Sequence, residues 1–204
     1  MQRSTALKLY AMMFLEFFIW GAWLPPSFGF FGAGGLGFNE WQQFGLNIAF
    51  PVSAIVAMFF ANQFVDRNFA AEKYLAFSHL VGGLAMLGFG ALSLSAFGGG
   101  AANYPLFFVC MAVHCLFYVP TISVTNTIAF ANMTDPQKEF GPVRLWGTIG
   151  WIAASWPFIF ILADWAKIPA MAEAGGFVKW LGAALGTSLT GDALNRGCLL
   201  YTSD

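Results

Sequence analysis

The sequence predicts an all-helical integral membrane protein, and three observations carry that expectation. Hydrophobic residues fill 58% of the 204 positions and charged residues only 9%, whereas a water-soluble domain usually carries about 25% charged residues. Mean hydropathy is +0.67. The apolar residues gather into runs of roughly 20 or more, the length that crosses a hydrocarbon layer as a helix. Such a chain cannot cover its own surface with polar groups, so a lipid bilayer is its expected partner. Net charge is −1 and Lys and Arg are dispersed, so the basic footprint of a nucleic-acid binder is missing and no nucleic-acid partner is expected.

The first apolar run, residues 9–31, follows Arg3 and Lys8. It continues past the length of a signal-peptide core and no A-x-A-like site closes it, so it reads as an uncleaved first span. Runs at 44–65, 74–97, 104–131 and 143–163 follow, giving a transmembrane bundle of about five spans over residues 1–163. The connections alternate in character. Residues 32–43 are glycine-rich with Glu40 as their only charge, and 98–103 form a short Gly/Ala/Asn turn, while 66–73 and 132–144 carry mixed charge. Arg3, Lys8, Arg67, Lys73, Lys138 and Arg144 then fall on one side, which places the N-terminus in the cytoplasm of a cell (inner) membrane.

Residues 164–197 read as an external loop in which Lys167, Lys179 and Arg196 are offset by Asp164, Glu173 and Asp192. A missing sixth span is expected after it. The last seven residues, "CLLYTSD" at 198–204, can be encoded by a transposon end used to prepare sequencing libraries, so they are expected to be adapter-derived, with the gene continuing beyond Gly197. Cys110 and Cys115 share one apolar run and Cys198 lies in the tail, with neither metal spacing nor a disulfide framework, so no metal or cofactor is expected. An enzyme is not expected either. There is no G-x-S-x-G or H-E-x-x-H, and the only histidines are His79 and His114.

Ionisable residues at membrane depth are costly and by default mark functional sites. Glu16 in "MMFLEFFIWGAW" lies about 12 Å beyond Lys8 along a helix. A carboxylate there must face a cavity, pair, or take up a proton, because burial disfavours its charge. Trp20 and Trp23 follow at i+4 and i+7, on the same helical face. A carboxylate beside two indoles suits either a polar, ring-containing substrate or a proton; a structural hydrogen bond to a neighbouring helix is the alternative. In the fourth run His114, Tyr118, Thr121 and Thr125 step by four, three and four along one face, with Pro120 placed to kink the helix. That stripe either lines a cavity or bonds neighbouring backbone. His79, early in the third run, reads as structural or interfacial. Gly82, Gly83, Gly88, Gly90, Gly147, Gly150 and Ala154 read as packing residues.

In "GPVRLWGTIGW", residues 141–151, Thr148 lies at i+4 and Trp151 at i+7 from Arg144, so charge, hydroxyl and ring align. Gly141 and Pro142 mark a helix start just before Arg144. Spacing leaves two readings open: a charge that snorkels to the headgroups, or a ligand for something carried.

Taken together, "MMFLEFFIWGAW", "VDRNFAAEKYL", "YVPTISVTNTIAF" and "FGPVRLWGTIGW" resemble the N-terminal half of a nucleoside:proton symporter of the major facilitator superfamily, over most of residues 6–163. The loop after the second span keeps only Asp66 and Arg67 of the superfamily's G-x-x-x-D-R-x-G-R-R pattern, with Asn62 for the glycine and Ala70 and Ala71 for the basic pair. That departure is similar to the degenerate form in nucleoside symporters, and the resemblance makes Asp66 and Arg67 conformational latch residues. It implies a partial superfamily fold, about five helices of the N-terminal six-helix bundle. It also implies nucleoside as substrate with proton symport, and substrate contacts from the Arg and Thr of R-x-W-G-T and the following aromatic, here Arg144, Thr148 and Trp151. Trp20 and Trp23 join the expected substrate site and Glu16 is the proton-coupling candidate. The remaining site residues of the family lie in a C-terminal half, a missing partner here, so the 204-residue chain is expected to be inactive alone. A superfamily transporter of sugars or another polar metabolite is the rival reading.

Overall fold

A computed structural model of the chain describes residues 2–33, 35–61, 70–161 and 167–185. Helices α1 (Arg3–Phe30), α2 (Glu40–Val56), α3 (Ala71–Phe97), α4 (Tyr104–Ala131) and α5 (Pro136–Ile161) are long, and α6 (Phe177–Leu185) is short. No strand occurs among the described residues. Four of these helices, α1 to α4, are long and apolar enough to cross a membrane. The fifth, α5, carries Lys138, Glu139 and Arg144 in its first half.

Local chemistry explains where the helices begin. Asn39 accepts from the Gln42 backbone N–H at 3.0 Å while its own N–H donates to Gln42 Oε1 at 3.0 Å, a reciprocal cap that starts α2. The α2 helix contains Pro51 and passes into a single wide π-turn at Ala57–Ala61. Asn103 accepts from the Leu106 N–H at 3.4 Å ahead of α4. At α5, Pro136 presets the first helical turn, and Glu139 Oε2 accepts from the N–H groups of Thr134 at 2.9 Å and Asp135 at 3.3 Å.

Helix limits differ from the apolar runs most at two helix starts. The α1 helix begins at Arg3 rather than residue 9, because hydrogen bonding starts outside the apolar layer that hydropathy detects. For the same reason α5 begins at Pro136, so Gly141 and Pro142 do not start it; Pro142 lies inside the helix and only gives up one backbone bond. Arg144 is therefore about 12 Å into α5. Within the region read as an external loop, α6 packs against α5.

The α4 helix is the centre of the bundle, with α2 and α3 packed along it, while α1 packs most extensively along α5. Small residues allow the α1–α5 contact. A Cβ on Gly21 would stand 2.6 Å from the Trp151 carbonyl oxygen, and one on Gly150 would collide with the Phe14 carbonyl, so each glycine receives the opposite backbone. Ser155 Oγ, within 2.8 Å of its own-turn Trp151 carbonyl, also reaches the Gly21 carbonyl at 3.1 Å. Gly83 and Gly90, expected to pack, meet no atom within 4 Å of a built Cβ and face outward.

Two apolar clusters form the interior. One joins Phe31, Phe38, Leu46, Phe89, Phe107 and Met111; the other joins Leu9, Met13, Phe17, Val124, Ile128 and Val143. Large apolar side chains such as Leu80, Leu84, Leu87 and Ile152 point outward and are exposed, the arrangement a lipid-facing surface requires.

Candidate functional site

Glu16 and Phe17, neighbours on α1, belong to two different sites. On the α5 side, the Arg144 guanidinium lies over the Phe17 ring with Cζ 3.9 Å from its centroid. Gly147, one turn further along α5, makes the room: a Cβ there would stand 2.6 Å from Arg144 Nη1 and 2.7 Å from Phe17 Cδ2. The ring face attracts the cation but offers no acceptor for its N–H groups. Nη1 is buried with no hydrogen-bond partner among the described protein groups. The guanidinium is thus turned inward onto α1.

An aromatic band continues from there. Phe17 and Trp20 are 5.9 Å apart, Trp20 stacks on Phe50 of α2 at 5.0 Å and 11°, and Trp151 meets Trp20 edge-on at 4.9 Å and 87°. Trp20 Nε1 is also buried without a described partner. Arg144, Trp151 and Trp20 are therefore brought together, and Thr148 is exposed on the same helix. Trp23 is turned differently: it stands edge-on to His114 at 5.5 Å and 89°, and only touches the band through Phe50 at 6.2 Å.

The Glu16 side chain points the other way, toward α3 and α4. It is 2% exposed, and both oxygens are engaged. His79 Nε2 lies 3.0 Å from Oε2, and Thr121 Oγ1 donates to Oε1 at 2.7 Å. The single Thr121 proton is shared with the Tyr118 carbonyl. Tyr118 Oη donates to the Glu16 backbone carbonyl at 2.6 Å. His114 stacks on Tyr118 at 5.3 Å and 10°, and its Nδ1–H donates to the Gly82 carbonyl at 2.9 Å. Thr125, the last member of the α4 stripe, is buried and bonds its own helix at the Ile122 carbonyl, 2.9 Å away. Three of the four stripe residues thus tie α4 to α1 and α3. Glu16 does not address the Trp20 band.

A groove of about 580 Å³ runs between α1 and α3 above this network. Phe18, Ile19, Leu84 and Leu87 are among its walls, and Trp23, Ser78, His79, His114 and Tyr118 supply its polar lining. Trp23 Nε1, Ser78 Oγ and His114 Nε2 are buried there without described partners. Asp66 and Arg67, the expected latch, lie outside the described residues.

Residues 3–175 match the family described as Nucleoside H+ symporter. The chain belongs to that family. It is 38% identical over 153 residues to the putative nucleoside transporter YegT of Escherichia coli (strain K12), covering 74% of this chain and 33% of that protein. It is 26% identical over 162 residues to the xanthosine permease of the same organism, covering 75% and 35%. The crystal structure of the nucleoside transporter NupG superposes with a TM-score of 0.63 at 22% identity, over 96% of this chain and 44% of that one. The chain therefore spans about a third of the length of the curated relatives it matches. Its family and its long apolar helices make it a membrane protein, and its fold is part of the helical fold of that solved structure.

Four contributors were not singled out by sequence: His79 as the partner of Glu16, Phe17 and Gly147 as the seat of Arg144, and Phe50 as the stacking surface for Trp20. Depth carried a usable signal for His79. Glu16 and His79 lie seven and five residues into their apolar runs, counted from residues 9 and 74, and both spans start from the same side, so the two side chains share a level. Nothing comparable distinguishes Phe17 or Phe50 from the other phenylalanines.

Proposed function

We propose that this chain forms part of a transporter that moves nucleosides across the cell (inner) membrane by proton symport, alternating its access between the two sides, with its N-terminus in the cytoplasm. The observation that carries this reading is the convergence of Arg144 and Trp151 from α5 with Trp20 from α1. A guanidinium with an N–H unpartnered among the described residues offers directed bonds to ribose or base oxygens and nitrogens, and the indoles offer faces and edges to a planar base. Thr148, exposed beside them, adds a hydroxyl. The relatives, a putative nucleoside transporter and a xanthosine permease, support the same substrate class.

In this reading the five long helices supply one wall of the substrate site. A second half of a longer chain supplies the other wall, Asp66 and Arg67 act in the latch between the second and third spans, and Glu16 takes part in proton coupling. Two halves rocking around a midplane site give alternating access. The 204-residue chain alone is expected not to transport.

The test uses the protein encoded by the complete reading frame, purified in lipid. Uridine or adenosine should bind and compete with one another while hexoses fail to displace them. Arg144→Lys should weaken nucleoside binding nearly as much as Arg144→Ala, because a point charge cannot reproduce the planar fork of donors. Hexose binding with no nucleoside binding would move the assignment to a sugar carrier, and normal nucleoside affinity in Arg144→Lys would make the arginine an anchor.

A further inference from the structure

We propose that Phe17 is the positioning residue of Arg144: its ring stands in place of a counter-ion, holding the guanidinium by its charge while leaving its N–H donors for the nucleoside. The proposal deepens the reading of Arg144 as a nucleoside ligand and rests on it.

The position of the ring is fixed by the α1–α5 contact. Phe17 lies on α1 one turn from each of two places where the helices meet closely, Phe14 against Gly150 and Gly21 against Trp151. It is 4% exposed and belongs to the apolar cluster of Met13, Val124, Ile128 and Val143, which holds the ring in place. Arg144 Cζ stands 3.9 Å from its centroid. Gly147 keeps the space between them clear, since a Cβ there would stand 2.6 Å from Nη1 and 2.7 Å from Phe17 Cδ2. The guanidinium contact is made between α1 and α5 themselves, so it holds whatever covers the outer surfaces of the bundle.

The choice of a ring over a carboxylate has a chemical consequence. A carboxylate at this place would accept two parallel bonds from the guanidinium fork and occupy donors that a ligand needs. A ring face attracts the same charge without accepting from that fork, and the attraction grows when the cation is removed from water. Among the described residues no carboxylate pairs with Arg144, and Nη1 is buried without a partner. The buried carboxylate, Glu16, is engaged by His79 and Thr121 on the other side of α1. A guanidinium also suits this seat better than an ammonium, because it is planar and more weakly hydrated.

Nucleoside affinity then depends on the electron density of a ring that lies behind the ligand contact. Phe17 acts through Arg144 and need not touch the ligand. Shape alone does not serve this role, so electronic changes that leave the ring's shape intact separate it from simple packing.

The experiment uses the protein encoded by the complete reading frame, purified in lipid, with Phe17 replaced by phenylalanine carrying one, two or three ring fluorines. Fluorine nearly preserves the shape of the ring and draws electron density from its face, so its hold on a cation falls in steps. The uridine dissociation constant should rise with each fluorine, reaching about tenfold at three, while the unfolding temperature stays near that of the wild type. The same series at Phe89, in the other apolar cluster, should leave affinity unchanged. Phe17→Leu should weaken binding at least as much as three fluorines, but it also leaves a void, so the fluorinated series decides. In the ligand-free protein, the fluorine resonance of the singly substituted Phe17 ring should move on Arg144→Gln. Affinity that stays level across the Phe17 series, or that rises because the ligand lifts the guanidinium off the ring, overturns the proposal and leaves nucleoside binding intact. An unmoved fluorine resonance, or wild-type affinity in Phe17→Leu, overturns it as well. A wild type that binds no nucleoside overturns the transport reading, and this role with it.

Discussion

The two sides of α1 hold their charges in opposite ways. Glu16 is sealed, with both carboxylate oxygens bonded to His79 and Thr121 and its backbone carbonyl bonded to Tyr118. Arg144, next to Phe17, rests on a ring that attracts its charge but satisfies none of its donors, and leaves Nη1 unpartnered among the described residues. A charge whose bonds are all met inside the bundle serves to tie the helices around it together. A charge held in place with a donor to spare is suited to meeting a ligand. The difference follows from the neighbours: α4 presents hydroxyls at the level of Glu16, while Arg144 meets the Phe17 ring of α1 and Gly147 of its own helix.

The contrast can be broken at several points. Arg144→Ala should produce the largest effect, a loss of about 2–5 kcal/mol in nucleoside binding, read by calorimetry, with thermal stability falling far less because the guanidinium rests on the Phe17 ring and Gly147 without a bonded partner among the described residues. Equal losses of stability and affinity would mean that Arg144 is structural.

Glu16→Leu should do the reverse. Leaving His79 and Thr121 without their acceptor should cost about 1–3 kcal/mol of stability, seen as a lower unfolding temperature, whereas Glu16→Gln keeps an oxygen for Thr121 and should lose less. If the leucine variant is as stable as the wild type, the hydrogen-bonded network contributes nothing to folding.

Gly147→Ala probes how Arg144 is seated. Its methyl would press on both Nη1 and Phe17, so about 1–2 kcal/mol of strain is expected. Because the far end of Arg144 can swing aside, the change should appear first as roughly tenfold weaker nucleoside binding. Unchanged affinity would show that the guanidinium need not lie on Phe17. The smallest effect is expected from Trp20→Phe, which keeps an aromatic body against Phe50 and Trp151 and should alter stability by about 0.5–1.5 kcal/mol. A larger loss in binding than in stability would place the freed indole N–H in the substrate site.

Much of the candidate site was legible before any geometry. Glu16 stood out because a carboxylate in an apolar run is anomalous, and Arg144 because Thr148 and Trp151 repeat at helical spacing. His79 was assigned a structural or interfacial place for want of a visible partner: Glu16 lies 63 residues away on another helix. Trp23 was grouped with Glu16 and Trp20 by spacing alone, yet its ring turns to His114, because residues at i and i+7 share a helix face but not a neighbour. The start of α5 was placed too late, since Gly141 and Pro142 look like helix punctuation while the Glu139 cap and Pro136 set the true beginning.

By itself the sequence determined that the chain is helical and lives in lipid, because a composition with 9% charge and long apolar runs admits no other way to satisfy backbone hydrogen bonds and cover the surface. It also determined which charged residues are conspicuous. Only the tertiary structure decided how each is balanced. Whether a buried charge meets a hydroxyl, an imidazole or a ring depends on which helices lie side by side and at what level, and that is set by packing such as the Gly21 and Gly150 contacts between α1 and α5, which no single stretch of sequence contains.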